Sequence, residues 1–129
     1  MTGTLTRAEP CLFSSDRFFA IFSYALSHGL LLLRSGKTDA APTRVDILFQ
    51  DVRAMEIRAW FSGIEIREAS PEILKNFASN PLPLLEPGNK MYQVSGGDWS
   101  GYILAGIMST HEDDGGLFEP SALVGEGLA

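Results

Sequence analysis

The alternation of apolar and polar side chains over residues 44–67 constrains the fold of this chain more than any other feature. In R-V-D-I-L-F-Q, A-M-E-I-R-A-W-F and G-I-E-I-R-E-A, apolar residues recur at alternate positions, and most of the residues between them are charged or polar. A period of two is typical of β-strands that bury one face and expose the other. Gly63 lies between the last two runs and predicts a tight hairpin turn. The charged residues, among them Arg44 and Asp46, are expected on a solvated face.

Segments on both sides of this region continue the β pattern. Residues 18–27 and 30–35 predict two strands joined by a Ser27-His28-Gly29 turn, in which glycine supplies a positive φ. A short strand at 91–94 and a long one at 100–110 are expected near the end of the chain. Ser70 as N-cap, followed by Pro71, predicts one short helix near residues 71–79.

Short connections between the predicted strands favour antiparallel pairing, because parallel strands need long crossovers. The sequence therefore predicts a mainly β fold at the border of α+β. About seven strands would form an antiparallel curved sheet or a small, partly open barrel. The length predicts a single domain over residues 1–129. Within it, 1–16 is expected to be an N-terminal arm and 125–129 a frayed tail.

The acidic charge is concentrated towards the C-terminal end. The net charge is −6, and residues 91–129 contain six acidic residues and no Lys or Arg. Nucleic acid is a poor partner for such a chain, because phosphate binding needs clustered cations. A basic protein surface or a cation is favoured as the partner, and the alternative is an acidic edge and tail that only keep the chain soluble. The candidate partner-binding residues are Glu112, Asp113, Asp114, Glu119 and, as an exposed anchor, Trp99; Trp60 is expected in the core.

The segment His111-Glu112-Asp113-Asp114 is the densest group of potential metal ligands. His111, Glu112 and Asp114 would be the first residues to bind a cation there. However, consecutive strand residues point to opposite faces and do not converge on one ion. The spacing also differs from that of an EF-hand and of a zinc protease helix. We therefore predict an acidic turn after a strand that ends near Thr110, with no metal site and no cofactor.

Sequence motifs for catalysis are missing. In G-D-W-S-G, residues 97–101, tryptophan stands where serine hydrolases have their nucleophile. His28 would need a second group to orient it for acid–base chemistry. A lone Cys11 and the lack of an apolar leader favour a reducing, cytoplasmic setting. The apolar runs are shorter than the roughly 18 residues of a membrane span.

Together these features favour a non-enzymatic, β-rich module that binds a partner protein or itself. An inhibitor or immunity protein that masks a basic enzyme surface is one concrete form of this hypothesis. Two alternatives stay open. One is a small-molecule or metal-assisted enzyme with a site near His28 and His111. The other is a structural subunit of a homo-oligomer such as a homodimer, because the edges of a curved sheet must be paired or covered.

Overall fold

The computed structural model describes residues 11–124, which contain one antiparallel sheet of eight strands. The strands are β1 (Cys11–Ala25), β2 (Leu30–Ser35), β3 (Arg44–Gln50), β4 (Ala54–Glu56), β5 (Trp60–Ala69), β6 (Lys90–Ser95), β7 (Ser100–Ala105) and β8 (Ile107–Asp113). Their order in the sheet is β4-β7-β6-β5-β1-β2-β3-β8, and the sheet is not closed into a barrel. The predicted mainly β, antiparallel fold is confirmed, with eight strands instead of about seven.

The longest strand, β1, has 15 residues and connects the two halves of the sheet. Its first part pairs with β5 and its last part with β2, and both ladders contain register shifts. A bulge bends the strand that carries it, so β1 can take part in both halves. The strand begins at Cys11, inside the segment 1–16 that we expected to be an arm. Residues 1–10 and the expected tail at 125–129 lie outside the described residues.

The region after β3 differs from the predicted hairpin. Residues 54–59 provide only the short strand β4, and Gly63 lies inside β5. Gly63 has a φ of +81° and faces the register shift between Ser15 and Phe18 of β1. A positive φ favours glycine, so this residue fits β5 to the irregular partner strand. The predicted turn at Gly63 is wrong because glycine at a bulge and glycine at a turn give the same sequence signal.

The short helix begins where the sequence predicts it. The side chain of Ser70 accepts a hydrogen bond from the backbone N–H of Glu72, and the helix spans Pro71–Asn76. It is a 3₁₀ helix and ends three residues before the predicted limit of 79, because Phe77 already has an extended backbone. A second 3₁₀ helix spans Leu82–Leu84. Neither helix of the described region is long and apolar enough to span a membrane.

The inner face of the sheet carries the main hydrophobic core. As the alternation predicts, the apolar side chains of β3 and β5 at every second position are buried there. A second cluster around Leu74 attaches the first 3₁₀ helix to β6 and β7. The fully buried residues of the main cluster are Phe19, Leu31, Leu33, Ile47, Phe49, Ile66, Val94, Ile103 and Ala105.

Candidate functional site

Residues 114–124, here called the strap, follow β8 and cover the outer face of β2 and β3. The strap is held mainly through its backbone carbonyls. Arg34 Nη1 donates hydrogen bonds to the carbonyls of Leu117 and Glu119, at 2.6 and 3.0 Å. Arg44 donates in the same way, and its acceptors are the carbonyls of Gly116, Glu119 and Pro120. The strap thereby buries side chains that a bare sheet would expose to water.

A buried ion-pair network lies under the strap. Arg34 and Asp46 form a two-pronged pair, with Nε–Oδ1 at 2.7 Å and Nη2–Oδ2 at 3.1 Å. The exposed fractions of these two side chains are 0% and 1%. Arg44 lies 4.0 Å from Asp46 and 3.0 Å from Asp113. The expectation that Arg44 and Asp46 lie on a solvated face is wrong, because the strap covers that face.

Two of the acidic residues predicted to contact a partner hold the strap instead. Asp113 accepts two hydrogen bonds from Arg44, each of 3.0 Å. The bond from Arg44, followed by the backbone N–H of Gly115, lowers the pKa of Asp113 below its ordinary value. The carboxylate of Glu119 accepts from the N–H of Gly116 at 2.6 Å. Both carboxylates are therefore engaged within the chain.

The other two acidic candidates are more accessible. Glu112 accepts from the hydroxyl of Thr43 at 2.5 Å and lies 3.8 Å from Arg17, and its side chain is 59% exposed. Asp114 is exposed, and its backbone carbonyl accepts from Lys37 Nζ at 2.8 Å. These two residues lie at the junction of β8 and the strap and do not form a continuous surface with Trp99.

The two histidines occupy separate regions. His111 on β8 pairs with Asp46 on β3. The prediction of one long strand at 100–110 is wrong, because the chain leaves the strand at Gly106 and forms two strands, β7 and β8, at different places in the sheet; β8 continues to Asp113. His28 lies in the β1–β2 turn, and its carbonyl accepts from the N–H of Asp51. His111 therefore lies beside Asp46, and His28 lies beside Asp51. These two aspartates are about 16 Å apart along the extended chain, so the two histidines are far from each other. In residues 11–124, no group of three or more His, Cys, Asp or Glu side chains could hold a metal ion.

The environments of the two tryptophans are the reverse of those that we expected. Trp60, expected in the core, begins β5 and is 66% exposed. Trp99, expected as an exposed anchor, packs on Phe61 with ring centroids 5.0 Å apart, and its Nε1 is buried without a hydrogen bond. The guanidinium of Arg58 lies 5.7 Å from the Trp99 ring. Trp60 is thus the better placed of the two to contact another molecule.

Trp60 belongs to a group of exposed aromatic side chains on the outer face of the sheet. The rings of Phe18 and Trp60 are 6.0 Å apart, and those of Phe22 and Phe118 are 6.1 Å apart. Ala20 lies between Phe18 and Phe22 on β1 and pairs with Trp60, so the two ring pairs adjoin. The exposed fraction reaches 84% for Phe118. We call these four aromatic residues, Phe18, Phe22, Trp60 and Phe118, the aromatic surface.

The sequence carried a partial signal for this surface. In F-F-A-I-F-S-Y, residues 18–24, aromatic residues occupy both odd and even positions. Phe19 and Ile21 pack into the core, so the strand presents Phe18 and Phe22 on its opposite face. The sequence pattern predicts a strand over residues 18–27 but does not separate its two faces. The contribution of Phe118 carried no comparable signal, because the strap has no regular periodicity.

Arg34 connects the buried network to the aromatic surface. Directly paired residues on neighbouring strands share a face of the sheet. One such row crosses the outer face and runs through Trp60, Ala20, Arg34, Asp46 and His111. The guanidinium of Arg34 lies 4.3 Å from the centroid of the Phe22 ring. The two carbonyls that it binds flank Phe118. Arg34 therefore holds two of the four aromatic rings in place.

No family model, curated protein or solved structure matches the chain. Function is therefore inferred from the residues themselves. The features that bear on it are the aromatic surface, the arginines that support it and the carboxylates at its border.

Proposed function

We propose that this protein is a non-enzymatic binding module that docks a partner protein through the aromatic surface. The observation that carries the proposal is the contiguous exposure of Phe18, Phe22, Trp60 and Phe118 on one face. Tryptophan is enriched among the residues that dominate binding energy, and aromatic rings bring a large apolar area to an interface. A contiguous apolar patch on a soluble domain is typical of an interaction site.

The way in which the rings are held supports this proposal. Phe18, Phe22 and Trp60 stand on hydrogen-bonded strands, and Phe118 is flanked by two carbonyls that Arg34 binds. A side chain that is already fixed loses less conformational entropy when it binds. The aromatic surface is thus prepared for contact and is supported from beneath by the buried ion pair.

The proposal moves the binding surface away from the acidic residues first predicted. Asp113 and Glu119 act by holding the strap, and Trp60 takes the anchoring part that we predicted for Trp99. Glu112 and Asp114 remain accessible at one end of the strap, where they would act by electrostatic attraction. Self-association through the aromatic surface is the alternative that the experiments below distinguish.

Photo-crosslinking in cells tests the proposal. A crosslinking amino acid replaces Phe118, and a matched control replaces Leu84, which is 52% exposed but lies outside the aromatic surface. We expect an adduct with one identifiable protein from position 118 and none from position 84. An adduct between two copies of this chain would instead indicate self-association.

Binding of the purified partner then measures the contribution of Trp60. Trp60→Ser removes an exposed anchor and is expected to weaken binding by about 30-fold, the effect of losing a hot-spot residue. Leu84→Ser is the control and is expected to leave the affinity unchanged. Native affinity in Trp60→Ser, or the same adducts from positions 118 and 84, would show that docking does not use this surface.

A further inference from the structure

We propose that the partner presents arginine side chains to the aromatic surface. This inference rests on the proposed function and adds the chemistry of the partner to it. Three observations lead to it: carboxylates border the aromatic rings, nearby arginines of this chain are bound to its own acceptors, and the chain itself twice places a guanidinium over an aromatic ring.

The border of the aromatic surface is acidic. Asp16 lines the same cavity as Phe18, and Asp98 lines the same cavity as Trp60. Asp16 is exposed, and the side chain of Asp98 is 81% exposed. Glu119 directly follows Phe118 in the strap. Carboxylates placed around a docking surface attract a cationic partner and exclude an anionic one.

Two arginines next to the surface are directed to acceptors of this chain, and each lies against a carboxylate, Arg17 against Glu112 at 3.8 Å and Arg34 against Asp46 at 2.7 Å. Arg17 donates to Ser35, to the side chain and carbonyl of Thr43, and to the carbonyl of Gly36. Arg34 is fully buried and bound to Asp46. Arg58 is the arginine of this border that faces solvent, and it forms an exposed pair with Asp98 at 3.4 Å.

The arrangement of rings and carboxylates suits a guanidinium better than an ammonium group. Within the chain, Arg34 lies over Phe22 at 4.3 Å and Arg58 over Trp99 at 5.7 Å. A guanidinium can stack on a ring and at the same time donate two hydrogen bonds to a carboxylate, whereas an ammonium group acts as a point charge. Trp60 and Asp98 line the same cavity, so an incoming arginine that replaces Arg58 at Asp98 would meet both kinds of acceptor.

The same charges disfavour a second copy of this chain as the occupant. In a two-fold symmetric contact each surface meets itself, so Asp16, Asp98 and Glu119 would face the same acidic border. Like charges brought together at an interface oppose association. Among residues 11–124, Arg58 is the only solvent-facing arginine that we find at this border, and it already pairs with Asp98. A different protein with exposed arginines is the better match.

Titration with small peptides tests the chemistry without the natural partner. The probes are N-acetylated, C-amidated tri-arginine, tri-lysine and tri-glutamate, added to the ¹⁵N-labelled full chain at low ionic strength. The readout is the indole N–H resonance of Trp60, and the backbone N–H resonance of Leu84, which lies outside the aromatic surface, serves as an internal control. We expect saturable shifts at Trp60 with tri-arginine, affinity about fivefold weaker with tri-lysine, and no shift with tri-glutamate.

Two further measurements sharpen the result. Asp98→Asn is expected to weaken tri-arginine binding several-fold, whereas Asp51→Asn, an exposed carboxylate on the β3–β4 connection, is expected to have no effect. Raising the salt concentration to about 0.3 M is expected to weaken binding further, because exposed charges are screened.

Equal shifts with tri-arginine and tri-lysine, larger shifts with tri-lysine, or no shift at Trp60 would overturn the inference. These outcomes are distinct from failure of the proposed function. If a crosslinked partner depends on Trp60 but binds with unchanged affinity after its interface arginines are replaced by lysine, docking through the aromatic surface stands and the arginine inference falls. Dimer formation that depends on Trp60 would instead indicate self-association and would overturn both the docking of a partner protein and the arginine inference.

Discussion

Asp46→Asn is expected to destabilise the protein strongly, although it changes only one side-chain oxygen to an amide nitrogen. Asp46 is the carboxylate that Arg34 holds with two hydrogen bonds, and Arg44 lies 4.0 Å away. Asparagine fills the same space but carries no charge, and its NH₂ group cannot accept the second bond from Arg34. The substitution thus leaves the positive charge of Arg34 buried without its counter-charge.

The size of the effect follows from the burial of the pair. The side chains of Arg34 and Asp46 are 0% and 1% exposed, so water cannot replace the lost carboxylate. Removing one partner of a buried pair costs about 3–5 kcal/mol. With a urea m-value of about 2 kcal/mol/M for a domain of this size, the urea midpoint is expected to fall by about 2 M. A domain has about 5–15 kcal/mol of stability in total, so this loss is a large fraction of it.

Urea unfolding followed by tryptophan fluorescence and circular dichroism measures this loss. Glu86→Gln is the matched control: Arg53 and Glu86 are 2.8 Å apart, close to the 2.7 Å of the buried pair, but their side chains are 39% and 57% exposed. Exposed pairs contribute about 0–1 kcal/mol, so the control is expected to lose little. A loss in Asp46→Asn no larger than that in Glu86→Gln would refute the reasoning, because burial would then not determine the cost.

The remaining predictions concern pH and packing. The pKa of Asp113 is lowered in the folded state by Arg44 and the N–H of Gly115, so its contribution to stability is present above the unfolded pKa of about 3.9 and is lost as pH falls through the folded value. In urea unfolding, the stability advantage of the native protein over Asp113→Asn should therefore shrink below about pH 5; an advantage that stays constant down to pH 3 would contradict this. A Cβ at Gly101 would lie 2.1 Å from the carbonyl oxygen of Glu56 on β4, so Gly101→Ala is expected to cost about 1–3 kcal/mol or more. Gly97, where a Cβ would have nothing within 4 Å, is the control, and equal stability of the two alanine variants would show that β4 can move aside.

Several strands were predictable from the sequence because the side-chain pattern of each depends on its own environment. Val45, Ile47 and Phe49 recur at alternate positions, and β3 occupies the predicted segment. The start of the 3₁₀ helix was predictable for a similar reason, since Ser70 and Pro71 act through local backbone groups. Information of this kind lies within a few residues of the feature that it determines.

The identity of the solvated face was not predictable in the same way. Arg44 and Asp46 have the alternation of exposed residues, yet a segment about 70 residues later in the chain buries them. That segment binds through backbone carbonyls, which every residue possesses, so its composition does not reveal what it covers. The exchange between Trp60 and Trp99 has the same origin. Both stand at strand boundaries, and only the arrangement of distant strands determines which one faces solvent.

The network under the strap also accounts for the presence of charged residues at a site where apolar ones would fit a sheet. An apolar pair in place of Arg34 and Asp46 would avoid the cost of burying charge, and such replacements are often neutral or stabilising. It would, however, leave the carbonyl of Leu117 without the donor that Arg34 supplies and the carbonyl of Glu119 with Arg44 as its remaining donor, and a carbonyl that is shielded from water and loses its donor is costly. The arginine is the side chain that can satisfy a carboxylate, two carbonyls and the face of Phe22 together. The role of Arg34 at this site is therefore to place Phe118 and Phe22. The stability of the outer face is thus linked to the shape of the aromatic surface.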